Sequence, residues 1–477
     1  MAESRVNSTS GGGVGPGADL HLELAPGGGR RAALMQALRE AVRSGRLTPG
    51  TRLPPYRTLA ADLGLARNTV AEAYAELVAE GWLTARQGSG TRVAARATPP
   101  ASGRARRPAR PSRAPRPVHD LRPGSPDAAA FPRAAWLASA RRALTAAPNE
   151  AFGPGDPRGR PELRRALADY LARARGVRTD PERIVICSGF AHALRLLGGL
   201  LAGPVAVESY GLDFHRGLLT AAKLATTPLV IDEHGARTGE LAASGARTVL
   251  LTPAHQYPTG GPLHPERRAA AIDWARATGG LVLEDDYDGE FRYDRQPVGA
   301  LQGLDPNRVV YLGSVSKSLS PALRLGWMVL PEHLVDAVLA AKGEREAWVG
   351  VTDQLTLADF IDCGGYDRHL RGMRRRYRRR RDQLVATLAE QAPHVAVTGI
   401  AAGLHAVLRL PRGTERSVLK GAAWQGLAVD GLAPYRHPAS PMPPEDGLVV
   451  GYGAPPDHGF AAALEALCRS LPLPPQD

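Results

Sequence analysis

Lys317 stands in "GSVSKSLSPALRLGW", residues 313–327, between two serines and seven residues before Arg324. A lysine held at the end of an apolar run can serve as a nucleophilic amine, and serine hydroxyls beside an arginine fork can hold a phosphate. Three further loops carry chemistry that would complement it. "EDDYDGEFRY", 284–293, sets Asp285 and Tyr287 on one side of an extended segment, a carboxylate and a phenol two residues apart. "CSGFAHAL", 187–194, is a glycine turn opening a helix, so backbone N–H groups at Ser188, Gly189, Phe190 and Ala191 can form an anion cradle. "TPAHQYPTG", 252–260, adds Tyr257.

Singly, each of these is ordinary, since an isolated lysine is most often a surface residue and a lone helix start is weak evidence for an anion. One ligand accounts for all four loops. A pyridine aldehyde phosphate needs an amine to hold it as a Schiff base and a carboxylate to keep its ring nitrogen protonated. It also needs a donor for its phenolic oxygen and contacts for its phosphate. Lys317, Asp285 and Tyr287 supply the first three, and Ser314, Ser316 and Arg324 with the helix start at 189–191 supply the last. The acidic cluster does not read as a calcium loop: counted from Glu284, the twelfth position is Arg295 rather than a closing acid, and no metal is expected.

Such loops have to be positioned by strand ends. Apolar runs at 183–187, 204–208, 248–252, 280–284 and 309–313 alternate with helical patterns, which predicts a mainly parallel sheet covered by helices over 120–472. Ligands of such sheets bind beyond the carboxyl ends of the strands, where the residues above fall. A smaller α+β lobe is expected over about 385–472. The arginine run at 371–381 points its charges to every side of a continuous helix. It should pair with acids at a subunit interface or track the phosphates of bent DNA.

The first hundred residues read differently. Leu34, Leu38 and Val42 lie at helical spacing before Gly45, "YRTLAADLG" makes a second short helix ending at Gly64, and Val70, Tyr74 and Leu77 mark a third that stops at Gly81. Two short strands follow around Gly88 and Gly90, so that 19–95 has the order of a winged helix-turn-helix. The start of its third helix offers Arg67, Asn68 and Thr69 to base edges and phosphates. Arg57, opening the second helix, can reach the same groove, and Gly88 and Gly90 let the wing approach a backbone closely.

Between head and body, 96–119 is rich in Pro, Arg, Ala and Ser and predicts an extended linker; 1–18, rich in Gly and Ser, predicts a disordered N-terminus. A net charge of +13 suits a polyanionic partner. The three cysteines are odd in number and far apart, which supports neither a disulfide framework nor a zinc spacing, and no apolar stretch is long enough to span a bilayer. A cytoplasmic protein is expected.

Residues 30–94, "SGRLTPGTRLPPYRTLAADLGLARNTVAEAYAELVAEGWLTARQGSGTRV" above all, resemble the winged-helix domain of the GntR family. Residues 120–470 resemble fold-type I aminotransferases, and the pairing resembles the MocR-type regulator subfamily. The resemblance implies operator contacts at Arg57, Arg67, Asn68 and Thr69. It also implies pyridoxal 5'-phosphate on Lys317 with Asp285 and Tyr287 as ring partners, and a homodimer. Where relatives place an aromatic after the strand at 204–208, this chain has Leu212, and Tyr210 stands nearby; where aminotransferases carry a carboxylate-gripping arginine in the last strand, it has Val449, and Arg436 is the candidate replacement. The resulting expectation is a transcriptional regulator of double-stranded DNA that senses pyridoxal phosphate, or an amine or amino acid exchanging with it. The alternative is a working aminotransferase that carries a DNA-binding head.

Overall fold

The computed structural model describes residues 22, 29–86, 90–95, 117–293, 298–343 and 349–473. It divides into two compact units, with the break after Pro115. Residues 1–18, Gly88 and most of 96–119 lie outside the described residues.

In the first unit, helices Arg30–Arg43, Tyr56–Asp62 and Arg67–Ala79 are followed by a two-stranded antiparallel wing, Leu83–Arg86 with Gly90–Val93. The apolar positions at helical spacing turn inward: Leu34, Leu38, Leu59, Val70 and Leu77 are buried in one cluster. Tyr74, also buried, donates its phenolic O–H to the Pro54 carbonyl at 3.0 Å, which ties the third helix to the Leu-Pro turn before the second.

In the second unit a seven-stranded sheet runs Ile184–Cys187, Gly326–Val329, Val309–Ser314, Leu281–Asp285, Thr248–Leu251, Val205–Glu208, Thr226–Leu229. Only Gly326–Val329 runs antiparallel to its neighbours. The five strands expected from sequence are all present within a residue or two of their predicted ends. Gly326–Val329 and the edge strand Thr226–Leu229 are additions. A second sheet of four antiparallel strands, Val397–Thr398, His405–Arg409, Gly447–Gly451 and Asp430–Gly431, forms with the helices Glu415–Trp424 and Asp457–Ser470 a C-terminal lobe.

The long helix Gly365–Gln391 carries the arginine run. Within this one chain, Arg376 pairs with Asp127 at 2.5 Å and Asp457 at 2.9 Å; Arg380, buried, donates to the carbonyls of Tyr452 and Gly453 and to Asp457 at 2.7 Å. Part of the run thus satisfies carbonyls and acids of its own body. Arg371, Arg375 and Arg379 face solvent. Among the described residues no helix is long and apolar enough to cross a membrane.

Candidate functional site

Beyond the carboxyl ends of the central strands lies a cavity of about 450 Å³. Its wall brings together Lys317, Asp285, Tyr287, Ser314, Ser316, Arg324, Phe190, Ala191 and Tyr257, residues drawn from all four loops. Gly189 sits directly behind: a Cβ there would come within 3.7 Å of the Arg324 guanidinium. Gly189 has φ +105°, and Gly326 crosses it so closely that a Cβ on Gly326 would meet the Gly189 Cα at 2.7 Å. The two glycines let the helix start and the antiparallel strand share this corner. Arg324 itself takes a left-handed conformation, φ +52°, which turns its side chain back toward the helix start.

The predicted cradle is smaller than the sequence suggests. The Ser188 N–H donates to His192 Nδ1 at 3.1 Å and is not free for a ligand. Phe190 and Ala191 remain in the cavity wall at the first turn of their helix. Ser314 Oγ accepts from the Ser316 N–H at 3.3 Å, and the loop after Lys317 is fixed from the long helix, where Tyr366 donates to Ser318 Oγ and His369 Nε2 bonds the Ser318 carbonyl, both at 2.8 Å.

Lys317 is half-buried and donates to the Gly124 carbonyl. Burial lowers its pKa below the usual lysine value, with the carboxylates of Asp285 and Asp288 holding part of the shift back. A larger share of the amine is therefore in its nucleophilic, neutral form near neutrality. Asp285 is buried, and among the described residues its carboxyl receives no hydrogen bond; burial first, then the neighbouring Asp286, pushes its pKa well up. A buried carboxyl in that condition lacks a partner.

Tyr287 keeps its proton, its pKa raised by burial and by Asp288. Its oxygen lies 2.9 Å from His255 Nδ1, which lies 2.8 Å from Asp288 Oδ2. With its one Nδ1 proton given to Asp288, His255 holds that carboxylate in place beside the Tyr287 phenol, which stands in the cavity wall. His405, buried beside them, uses Nε2 on the Pro258 carbonyl at 3.0 Å. Ligating atoms of His255, Asp288 and His405 lie within 4.8 Å of one another, and each side chain is engaged in a hydrogen bond.

Sequence reasoning overlooked several residues of the wall: Gly124, Glu208, His215, Arg216, Asp430 and Tyr435. Glu208 ends a central strand just as Asp285 does, a signal that was available. Arg436 does not take the proposed role, because its guanidinium donates to the Ser440 and Met442 carbonyls at 2.7 and 2.5 Å and stays out of the wall. The arginine that does line the cavity is Arg216, whose Nη1 is held by the carbonyls of Gly211 and Tyr435. Leu212 lines the cavity where an aromatic was sought, with Tyr210 and His215 alongside; burial drives the His215 pKa down to about 3, so the ring is neutral.

Glu208 gives a pH prediction. Its carboxyl accepts from Thr252 Oγ1 at 2.6 Å, yet burial raises its pKa from 4.5 to about 7. Between those two values the native state holds a proton that the unfolded chain has released. Its contribution to stability is therefore complete below 4.5 and is lost as pH rises through 7. Glu208→Gln removes that loss. From pH 5 to pH 8 the variant should gain up to about 3 kcal/mol relative to wild type, read from urea unfolding of both proteins at the two pH values.

In the first unit Arg57, Arg67 and Asn68 are exposed and Thr69 is half-buried, at the starts of the second and third helices. Gly90 has φ +81°, and a Cβ on it would meet Arg52 Nε at 3.1 Å, so its freedom serves a close approach of Arg52 within the unit.

Residues 30–93 match the family described as bacterial regulatory proteins, gntR family, and residues 124–420 match aminotransferase class I and II. The two matches define a class: a GntR-type DNA-binding head on an aminotransferase-like body, the first implying DNA and the second pyridoxal phosphate. The body shares its fold with the kynurenine aminotransferase of Pyrococcus horikoshii (TM-score 0.68, 23% identity, 75% of this chain and 91% of that chain). Curated relatives align along both parts. The probable rhizopine catabolism regulatory protein MocR of Rhizobium meliloti is 34% identical over 442 residues, 88% of this chain and 89% of that protein. The pyridoxine biosynthesis transcriptional regulator PdxR of Corynebacterium glutamicum is 32% identical over 439 residues, 88% and 91%. The chain belongs to the MocR-type transcriptional regulators of the GntR family.

Proposed function

We propose that this regulator binds pyridoxal phosphate covalently at Lys317 and that occupancy of the cavity sets its affinity for operator DNA. The observation that carries the reading is the pairing, in one cavity, of a half-buried amine of lowered pKa with a buried carboxyl, Asp285, that has no partner. When bound, the cofactor supplies an electrophilic carbon and an electron-withdrawing ring. Asp285 accepts from the ring nitrogen, Tyr287 donates to the ring oxygen, and Ser314, Ser316, Arg324 and the 189–191 helix start hold the phosphate. Tyr257, buried edge-on to Tyr287 with ring centroids 5.5 Å apart, fixes the phenol's position.

Arg57, Arg67, Asn68 and Thr69 read the operator, and two chains pair so that two heads address two half-sites. A ligand that exchanges with the Lys317 linkage, the cofactor itself or an amine or amino acid, changes DNA affinity only through differential binding to two arrangements of the protein. The relative named as a pyridoxine biosynthesis regulator lends weight to the cofactor as the signal.

Fluorescence anisotropy on DNA from upstream of the chain's own coding sequence, at fixed salt with and without pyridoxal phosphate, tests this reading. Affinity must change on addition of the cofactor, with no sustained turnover of amino donors. Steady turnover with unchanged affinity would favour a working aminotransferase. In the same assay Arg67→Ala should weaken operator binding about 10- to 100-fold, the worth of one bidentate base contact, and relax discrimination at one base pair.

A further inference from the structure

A second cavity, of about 370 Å³, opens between the helix Pro161–Arg175, the loop after the strand Leu281–Asp285 and the first turns of the long helix Gly365–Gln391. Among the described residues, five arginines and two carboxyls line it. Two of the arginines are already matched: Arg175 pairs with Asp286, its Nε at 2.6 Å, and Arg173 with Asp367 at 2.8 Å. Two others are not. Arg374 spends only its Nε, on the Glu290 backbone carbonyl at 2.5 Å, and Arg371, exposed, meets no acid among the described residues.

The wall also holds Tyr170, 2% exposed, whose phenolic oxygen has no hydrogen-bond partner. Buried hydroxyls are nearly always partnered; this one is covered by its neighbours, the Tyr366 ring 5.1 Å away among them, and is a donor left over for a ligand atom that displaces one of them. Glu290, the remaining acid, is pushed up to about 7 by burial and by Asp286, and near neutrality it carries only part of a negative charge. Guanidinium groups recognise oxyanions through paired N–H donors, and a phenol adds one more donor.

We infer that this cavity is a second ligand site, taking a small oxyanion, a phosphate ester or a carboxylate, on Arg371, Arg374 and Tyr170. None of these three lines the Lys317 cavity, so the inference stands independently of pyridoxal phosphate binding there.

Calorimetric titration of the full chain tests it, with inorganic phosphate in one arm and succinate in the other at one pH and ionic strength. Arg324→Gln removes the anion contact of the first cavity and should keep this binding step. Combining Arg371→Gln with Arg374→Gln should lower affinity at least about tenfold. Tyr170→Phe is the sharper variant: it removes a hydroxyl that has no partner in the empty cavity. The melting temperature without ligand should hold or rise while affinity falls about tenfold. Tighter phosphate than succinate assigns a phosphate ester, and the reverse order assigns a carboxylate. Wild-type affinity in the double arginine variant or in Tyr170→Phe, or loss of all binding in Arg324→Gln, overturns the inference.

Discussion

Replacing Lys317 with alanine will leave nothing in the cavity that borohydride can fix to pyridoxal phosphate, and the chain's DNA affinity will stop responding to added cofactor. Lys317 is the one lysine in the wall of that cavity. The chain's buried lysine, Lys342, is held by the backbone carbonyls of Pro157 and Ile186 and does not reach it. The fold should tolerate the change, because the lysine stem fills space at a cavity edge and its ammonium is disfavoured there by desolvation. Far-UV circular dichroism should therefore be unchanged while the visible band of the bound cofactor disappears. Peptide mapping after reduction decides the matter: an adduct on another lysine, or a cofactor response that survives the substitution, removes the basis for the sensor.

That such a residue could be picked out from sequence depended on local rules with long reach. Asp285 and Tyr287 share a side because strand side chains alternate, and both sit just past a run apolar enough to be a buried strand. The wall contains what that rule points to, and it also contains residues on which local rules are silent. Gly124 and Tyr435 lie far from Lys317 in sequence, and no pattern within a few residues of either speaks of a cavity. The contact of His255 with Asp288 spans 33 residues and depends on two strand ends being neighbours in the sheet.

The strand Gly326–Val329 went unread because its four residues follow directly on the lysine loop and run against the parallel order that the alternating pattern suggested. The charges of the arginine run point to every side of its helix, which predicts acids at a subunit interface or DNA phosphates as partners; within the chain, Arg380 is 4% exposed and its Nη1 donates to carbonyls at Tyr452 and Gly453 that only the folded C-terminal lobe brings near. Charge alone predicts exposure, and the exceptions are set by tertiary partners.

Asp286→Ala should cost more stability than any other single change considered above, about 3–5 kcal/mol, because it strands a buried guanidinium. Arg175 donates to Asp286 through Nε at 2.6 Å and Nη2 at 2.9 Å, and Tyr311 gives its O–H to the same carboxylate at 2.7 Å. All three side chains are buried, and Gly289 packs so tightly on the pair that a Cβ there would lie 2.1 Å from Asp286 Oδ1. This cluster anchors the chain immediately after Asp285 and immediately before Tyr287, so its loss should also weaken cofactor binding, although none of its members lines the Lys317 cavity. The urea midpoint and the cofactor dissociation constant should fall and rise together in Asp286→Ala. Combining Arg175→Met and Asp286→Leu with Tyr311→Phe removes both charges together with the buried hydroxyl that would lose its acceptor, and should recover most of the stability, since an apolar cluster of similar volume leaves no such group unpaired. If the cofactor constant recovers with it, the pair acts by holding the backbone in place. If stability returns and the constant does not, the field of the ion pair at Asp285 is what the site requires. Wild-type stability in Asp286→Ala would contradict the burial of this pair.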